Sequence, residues 1–81
     1  MYFIYVYTVA DSNVGSGPHP ITVSEFDRRS IVNGNLDLVR RLVTDEFEGN
    51  LLWEDVTSVE VETEADPDET QPETKVVYTK R

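Results

Sequence analysis

Cysteine is absent from this 81-residue chain. That excludes a disulfide framework, a thiolate metal site and a cysteine nucleophile. Stability must come from packing, and from one core, because a chain this short buries only about 60% of the surface it exposes when unfolded. Histidine occurs once, as His19 between Pro18 and Pro20. It cannot build a multi-histidine metal site and has no sequence-adjacent partner for nucleophilic catalysis, so it is expected to be an exposed loop residue. Long apolar runs are lacking too. Met1 to Ala10 has about half the length of a membrane span and no basic flank of the secretory kind, so a strand, no membrane association and a cytoplasmic location are expected. Positive charge is scarce: seven Lys and Arg face sixteen Asp and Glu, for a formal net charge of −9. Affinity for phosphate backbones depends on Lys and Arg displacing counterions, so direct nucleic-acid binding is not expected, and an attractive partner should be basic.

The chain is expected to be a single acidic α+β domain over residues 1–81, with flexible loops at about 11–20 and 65–74. Tyr2 to Val9 is a run of aromatic and β-branched residues, which predicts a central strand. Asp11 to Pro20 collects Ser, Asn, Gly and Pro and predicts a loop. Thr22 and Glu25 stand in the T-x-x-E spacing of a capping box, predicting a helix from about Val23 to Val32 with Val23, Phe26, Ser30 and Ile31 on its inner side. Asn33-Gly34 suits the end of that helix, and equally a hairpin turn. Asn35 can cap a second helix in which Val39, Leu42, Val43 and Phe47 form one buried stripe and Asp37 precedes Arg41 by four residues. Gly49-Asn50 ends it. Leu51, Leu52 and Trp53 follow as an apolar anchor. Thr57 to Glu64 alternates strictly, with Val59, Val61 and Thr63 on one side and Ser58, Glu60, Glu62 and Glu64 on the other. Lys75 to Lys80 alternates again and is expected to pair with it antiparallel. The order β-α-α-β-β implies a small, mainly antiparallel sheet of three or four strands with both helices on one face. A fourth strand, if present, is expected at Leu51 to Glu54.

Charge is segregated along this framework. Twelve of the sixteen carboxylates lie between Asp45 and Glu73, and no basic residue interrupts Leu42 to Thr74. On a strand, Glu60, Glu62 and Glu64 would stand at intervals of about 6.8 Å, twice the rise per residue. A DNA strand carries one charge per about 3.4 Å, so such a row could occupy alternate phosphate positions in a basic cleft. The plainer explanation is a solvated face whose charge resists edge aggregation. Asp66-Pro67-Asp68-Glu69 offers oxygen ligands but lacks the glycine and bidentate glutamate of a calcium loop, and no metal or other cofactor is expected. Gly15-Ser16-Gly17 follows a strand but lacks the Lys-Ser/Thr of a phosphate-binding loop. The carboxylate pairs Glu54-Asp55 and Asp45-Glu46 lack any sign of a buried, perturbed acid, so no enzymatic activity is expected. Tyr5 and Tyr7 project to the side opposite Ile4 and Val6, toward the helices or toward a partner.

These features favour a non-enzymatic interaction protein that binds a basic protein surface through Glu54, Asp55, Glu60, Glu62, Glu64, Asp66, Asp68 and Glu69. In its narrowest form it is a nucleic-acid mimic of the kind used by small viral or mobile-element inhibitors. Two alternatives stand beside it: a structural subunit or assembly factor of a larger, viral complex, and a domain whose acidity is adaptation to high salt.

Overall fold

Alternating side chains commit the N-terminal segment to a strand that is buried on one face, and the rest of the sheet forms around it. The computed structural model describes residues 2–63 and 73–80. Its elements are β1 (Tyr2–Thr8), β2 (His19–Val23), α1 (Glu25–Val32), α2 (Leu36–Glu46), a 3₁₀ turn (Trp53–Asp55), β3 (Val56–Glu62) and β4 (Thr74–Thr79). The four strands form one sheet in the order β2-β1-β3-β4, every neighbouring pair antiparallel. The fold is therefore the expected small α+β arrangement, with β1 central and β3 and β4 paired. It holds one strand more than the order β-α-α-β-β.

That strand corrects the expectation of a loop as far as Pro20. His19–Val23 pairs with β1, placing Ile21 opposite Ile4 and Pro20 opposite Tyr5. A proline lacks the N–H of a ladder bond and is tolerated because β2 is an edge strand. The alternative fourth strand at Leu51 to Glu54 does not form. Leu51 is buried, Leu52 is exposed and Trp53 opens the 3₁₀ turn.

His19 consequently sits in the sheet rather than in an exposed loop. Its ring meets Phe47 edge-on at a centroid distance of 5.4 Å, and its Nε2 lies 3.1 Å from the Gly15 carbonyl. The same carbonyl accepts from Ser12 Oγ at 2.8 Å and from Thr8 Oγ1. Gly17 closes this connection at φ +86°, where a Cβ would lie 2.6 Å from the Val6 carbonyl oxygen.

The capping box also gives way. Because Val23 belongs to β2, the helix begins later, and Ser24 is its N-cap, accepting from the Asp27 N–H at 3.1 Å. The inward-facing set also differs from the one expected. Phe26 lies five residues before Ile31, about 140° around a helix of 3.6 residues per turn, and so cannot share its buried side. Phe26 is 78% exposed, Ile31 is fully buried, and Arg28 takes the inward position at 5% exposure. The Arg28 guanidinium lies 4.4 Å from the centroid of the Tyr2 ring. Asn33-Gly34 ends α1: Gly34 has φ +100°, and the Asn35 N–H reaches back to the Ser30 carbonyl at 3.0 Å.

Asn35 caps α2 as expected, accepting from the Leu38 N–H at 3.2 Å. Val39 and Val43 are buried, while Leu42 and Phe47 are only half-buried and border the core. Among the described residues Asp37 and Arg41 make no ion pair, and an i,i+4 pair forms instead between Arg29 and Glu25 in α1, at 2.9 Å. The core joins Ile31, Val39 and Val43 of the helices to Ile4, Val6, Ile21, Val23, Val56, Val59 and Val61 of the sheet. A bulge opposite Tyr7 and Thr8 interrupts the alternation expected of Thr57 to Glu64, which lets both Val56 and Val59 face inward. Among the described residues no helix is long and apolar enough to cross a membrane.

Candidate functional site

With both helices on one side of the sheet, alternation sends Phe3, Tyr5 and Tyr7 of β1 and Ser58, Glu60 and Glu62 of β3 to the opposite side. Tyr5 lies directly across from Glu60 and Tyr7 across from Ser58. Each hydroxyl nevertheless reaches diagonally. Tyr5 Oη donates to Glu62 Oε1 at 3.4 Å, and Tyr7 Oη donates to Glu60 Oε2 at 3.3 Å. Diagonal neighbours on an antiparallel pair stand about 7–8 Å apart, within the reach of a tyrosine. Phe3 stacks beside Tyr5 at 6.4 Å between centroids, with 28° between the ring planes. The result is a row of three rings with two carboxylates along one flank.

Electrostatics ties the two rows together. The Tyr5 hydroxyl is raised above its ordinary pKa first by burial, then by the negative charge of Glu62 and the hydrogen bond to it. Tyr7 is raised in the same way, by burial first and then by Glu60. Both phenols therefore stay protonated and remain donors. At 3.3 and 3.4 Å their bonds are long for O–H···O geometry, which centres near 2.7–2.8 Å. They position the carboxylates without using their full acceptor capacity.

The eight acidic positions singled out from sequence separate into three groups. Glu60 and Glu62 share the helix-free face. The expectation of a fully solvated row is corrected for Glu62, which is 8% exposed, lies opposite Thr74 and is hydrogen-bonded to Tyr5. Glu54 and Asp55 lie at the other end of β3, in the 3₁₀ turn, where their backbone carbonyls accept from Lys80 Nζ and the Val9 N–H. They do not join the Glu60–Glu62 pair. Glu64, Asp66, Asp68 and Glu69 lie outside the described residues, and with them the Asp66-Pro67-Asp68-Glu69 ligand candidate.

Phe3 and the two tyrosine–glutamate bonds are what sequence reasoning missed. A signal for them existed: superposing the two period-2 patterns puts the odd positions of Tyr2–Thr8 on the same face as the even positions of Ser58–Glu62.

Three of the basic residues among the described ones make contacts away from this face. Arg40 lies over Trp53 at 5.6 Å, Lys75 Nζ donates to the Val32 carbonyl at the end of α1, and Lys80 Nζ donates to the Glu54 carbonyl. No family model, curated protein or solved structure matches the chain, so the face is interpreted from its own chemistry.

Proposed function

We propose that this chain is a non-enzymatic acidic interaction protein of the cytoplasm that binds a basic protein surface with the helix-free face of its sheet. The observation that carries the proposal is the pairing of Tyr5 with Glu62 and of Tyr7 with Glu60 on that face. Rings supply area to be buried, carboxylates supply charge, and neither is used by the core. Arg40, Lys75 and Lys80 make their contacts elsewhere on the chain, which supports it, because none of the three is paired with Glu60 or Glu62. Occupying a nucleic-acid-binding cleft is the narrower form. The burial of Glu62 gives more weight to ring contact than to a row of solvated charges copying phosphates.

A fluorescein-labelled basic decapeptide of alternating Lys and Arg, titrated at several NaCl concentrations, tests this. Binding should weaken with salt. Replacing Glu60 and Glu62 by Gln should weaken it well beyond replacing Glu54 by Gln and Asp55 by Asn, which removes the same charge. Equal losses would mean that net charge alone attracts the peptide and would refute the assigned face. One observation favours a second proposal, a structural subunit: β4 is an edge strand and its Val76 is 53% exposed on the helix-free face. Light scattering across a hundredfold dilution separates the two, since a subunit self-associates and the binding protein stays monomeric.

A further inference from the structure

We infer that the face formed by Phe3, Tyr5 and Tyr7 with Glu60 selects arginine over lysine in its partner, receiving a guanidinium stacked on the rings and hydrogen-bonded to the carboxylate. The inference rests on the binding proposal above and adds the chemistry of the group recognised.

The rings and the carboxylate make different demands on a cation. A ring face attracts positive charge through its quadrupole, and a planar, weakly hydrated guanidinium can lie flat against it. A carboxylate beside the ring asks for N–H donors in the plane of the cation. Guanidinium meets both demands at once, because its faces are apolar and its N–H groups point outward at the edge. An ammonium is a compact, strongly hydrated point charge and must give up one contact to make the other.

Glu60 is placed to accept such a donor. It is half-buried, on a face that neither α1 nor α2 covers, and the Tyr7 hydroxyl engages its Oε2 at 3.3 Å. A carboxylate has two oxygens and about four lone-pair sites, so capacity remains. A charge-assisted N–H···O bond of about 2.7–2.9 Å is both shorter and stronger than the bond in place. Glu62, buried beside Tyr5, adds negative potential from within the same row without having to be reached.

The chain itself stacks arginine on aromatic rings twice, Arg28 on Tyr2 at 4.4 Å and Arg40 on Trp53 at 5.6 Å. Both stacks lie away from Tyr5 and Tyr7. Those two rings present the same surface with carboxylates added, and among the described residues no arginine stacks on them.

Labelled nona-arginine and nona-lysine, titrated against the full chain at 0.15 M ionic strength where charges beyond about 8 Å are screened, measure the selectivity. Nona-arginine should bind about tenfold more tightly, the ratio expected from one desolvated ring stack. Replacing Tyr5 and Tyr7 by Leu should reduce that ratio to about one while salt-dependent binding of both peptides persists. Circular dichroism checks that this variant folds. If it does not, the aromatic proton resonances of Tyr5 and Tyr7 in the unaltered chain decide the matter, because nona-arginine should shift them and nona-lysine should not. Equal affinity for the two peptides, or ring resonances that ignore nona-arginine, would overturn the inference and leave the basic-surface proposal standing. Failure of both peptides to bind at low salt would overturn both.

Discussion

Replacing Ile31 and Phe26 by alanine, one at a time, tests the helical phase on which the packing of α1 depends. Ile31 is fully buried between the sheet and α2. Its truncation removes three carbons, worth about 2.4 kcal/mol at roughly 0.8 kcal/mol per buried methylene, and the cavity left behind brings the expected loss to about 2–5 kcal/mol. A domain of this length has a total stability of about 4–12 kcal/mol, so the loss is a large share of it. The melting temperature should fall by at least about 8 °C, at roughly 4–8 °C per kcal/mol. Phe26 is 78% exposed, and its truncation takes little area out of the core. Alanine is also the better helix former by about 0.5 kcal/mol, so Phe26→Ala should leave stability within about 0.5 kcal/mol, on the favourable side if it moves. Urea unfolding followed by Trp53 fluorescence and far-ultraviolet circular dichroism gives both values, provided the slope with denaturant is unchanged between variants. A loss above about 2 kcal/mol for Phe26→Ala with a loss below about 1 kcal/mol for Ile31→Ala would be the reverse of the burial argument. It would refute the phase assigned to α1, in which Ile31 faces in and Phe26 faces out.

The cap makes the same distinction independently: Ser24→Ala should lose about 1 kcal/mol in urea unfolding, and Thr22→Ala, exposed on β2, much less. Gly17→Ala should lose at least about 1–3 kcal/mol, because the residue stands at positive φ with its would-be Cβ 2.6 Å from the Val6 carbonyl; a neutral result would show that the connection can shift. Both tyrosine pKa values are raised above 10.0, so their protonation contributes stability that is complete below pH 10.0 and is lost as pH rises through the folded-state values. Glu62→Gln should bring the Tyr5 titration, followed by NMR of the ring, part of the way back toward 10.0 and no further, since burial is the larger cause; an unmoved Tyr5 would break the assigned pairing. Circular dichroism at 0.1 M and 2 M KCl should find the chain folded at both concentrations, because its core and caps do not depend on screening, whereas a high-salt adaptation predicts a largely unfolded chain at 0.1 M.

Most of the sheet and all of α2 were legible because their patterns are long. Tyr2–Thr8 is an unbroken run of aromatic and β-branched residues, Ser58–Glu62 alternates, and Asn35 stands immediately before an apolar stripe with Gly49 beyond its end. His19–Val23 offers two buried positions, Ile21 and Val23, within five residues, preceded by Gly15, Gly17 and Pro18 and containing Pro20. Those are loop signals everywhere except on an edge strand, and edge status is a property of the finished sheet. The error then propagated. With Val23 assigned to a helix, Phe26 counted as an inward residue beside Ile31, whereas in the helix that follows a strand ending at Val23 it is Arg28 that is buried with Ile31, and Phe26 is exposed.

The candidate face shows a different limit. That Glu60 and Glu62 share one side of a strand follows from period 2, and so does the sharing of Phe3, Tyr5 and Tyr7. Whether the two rows meet depends on which strands are neighbours, whether they run antiparallel, and how they are registered. A shift of one residue would have sent one row to the opposite side of the sheet. The register is fixed on the other side, where Ile4 lies opposite Val61 and Val6 opposite Val59 in the core. Hydrophobic packing beneath the helices thus determines that Tyr5 and Tyr7 reach Glu62 and Glu60 on the outer face. A core substitution that slipped β3 by one residue would abolish the face without touching any residue in it.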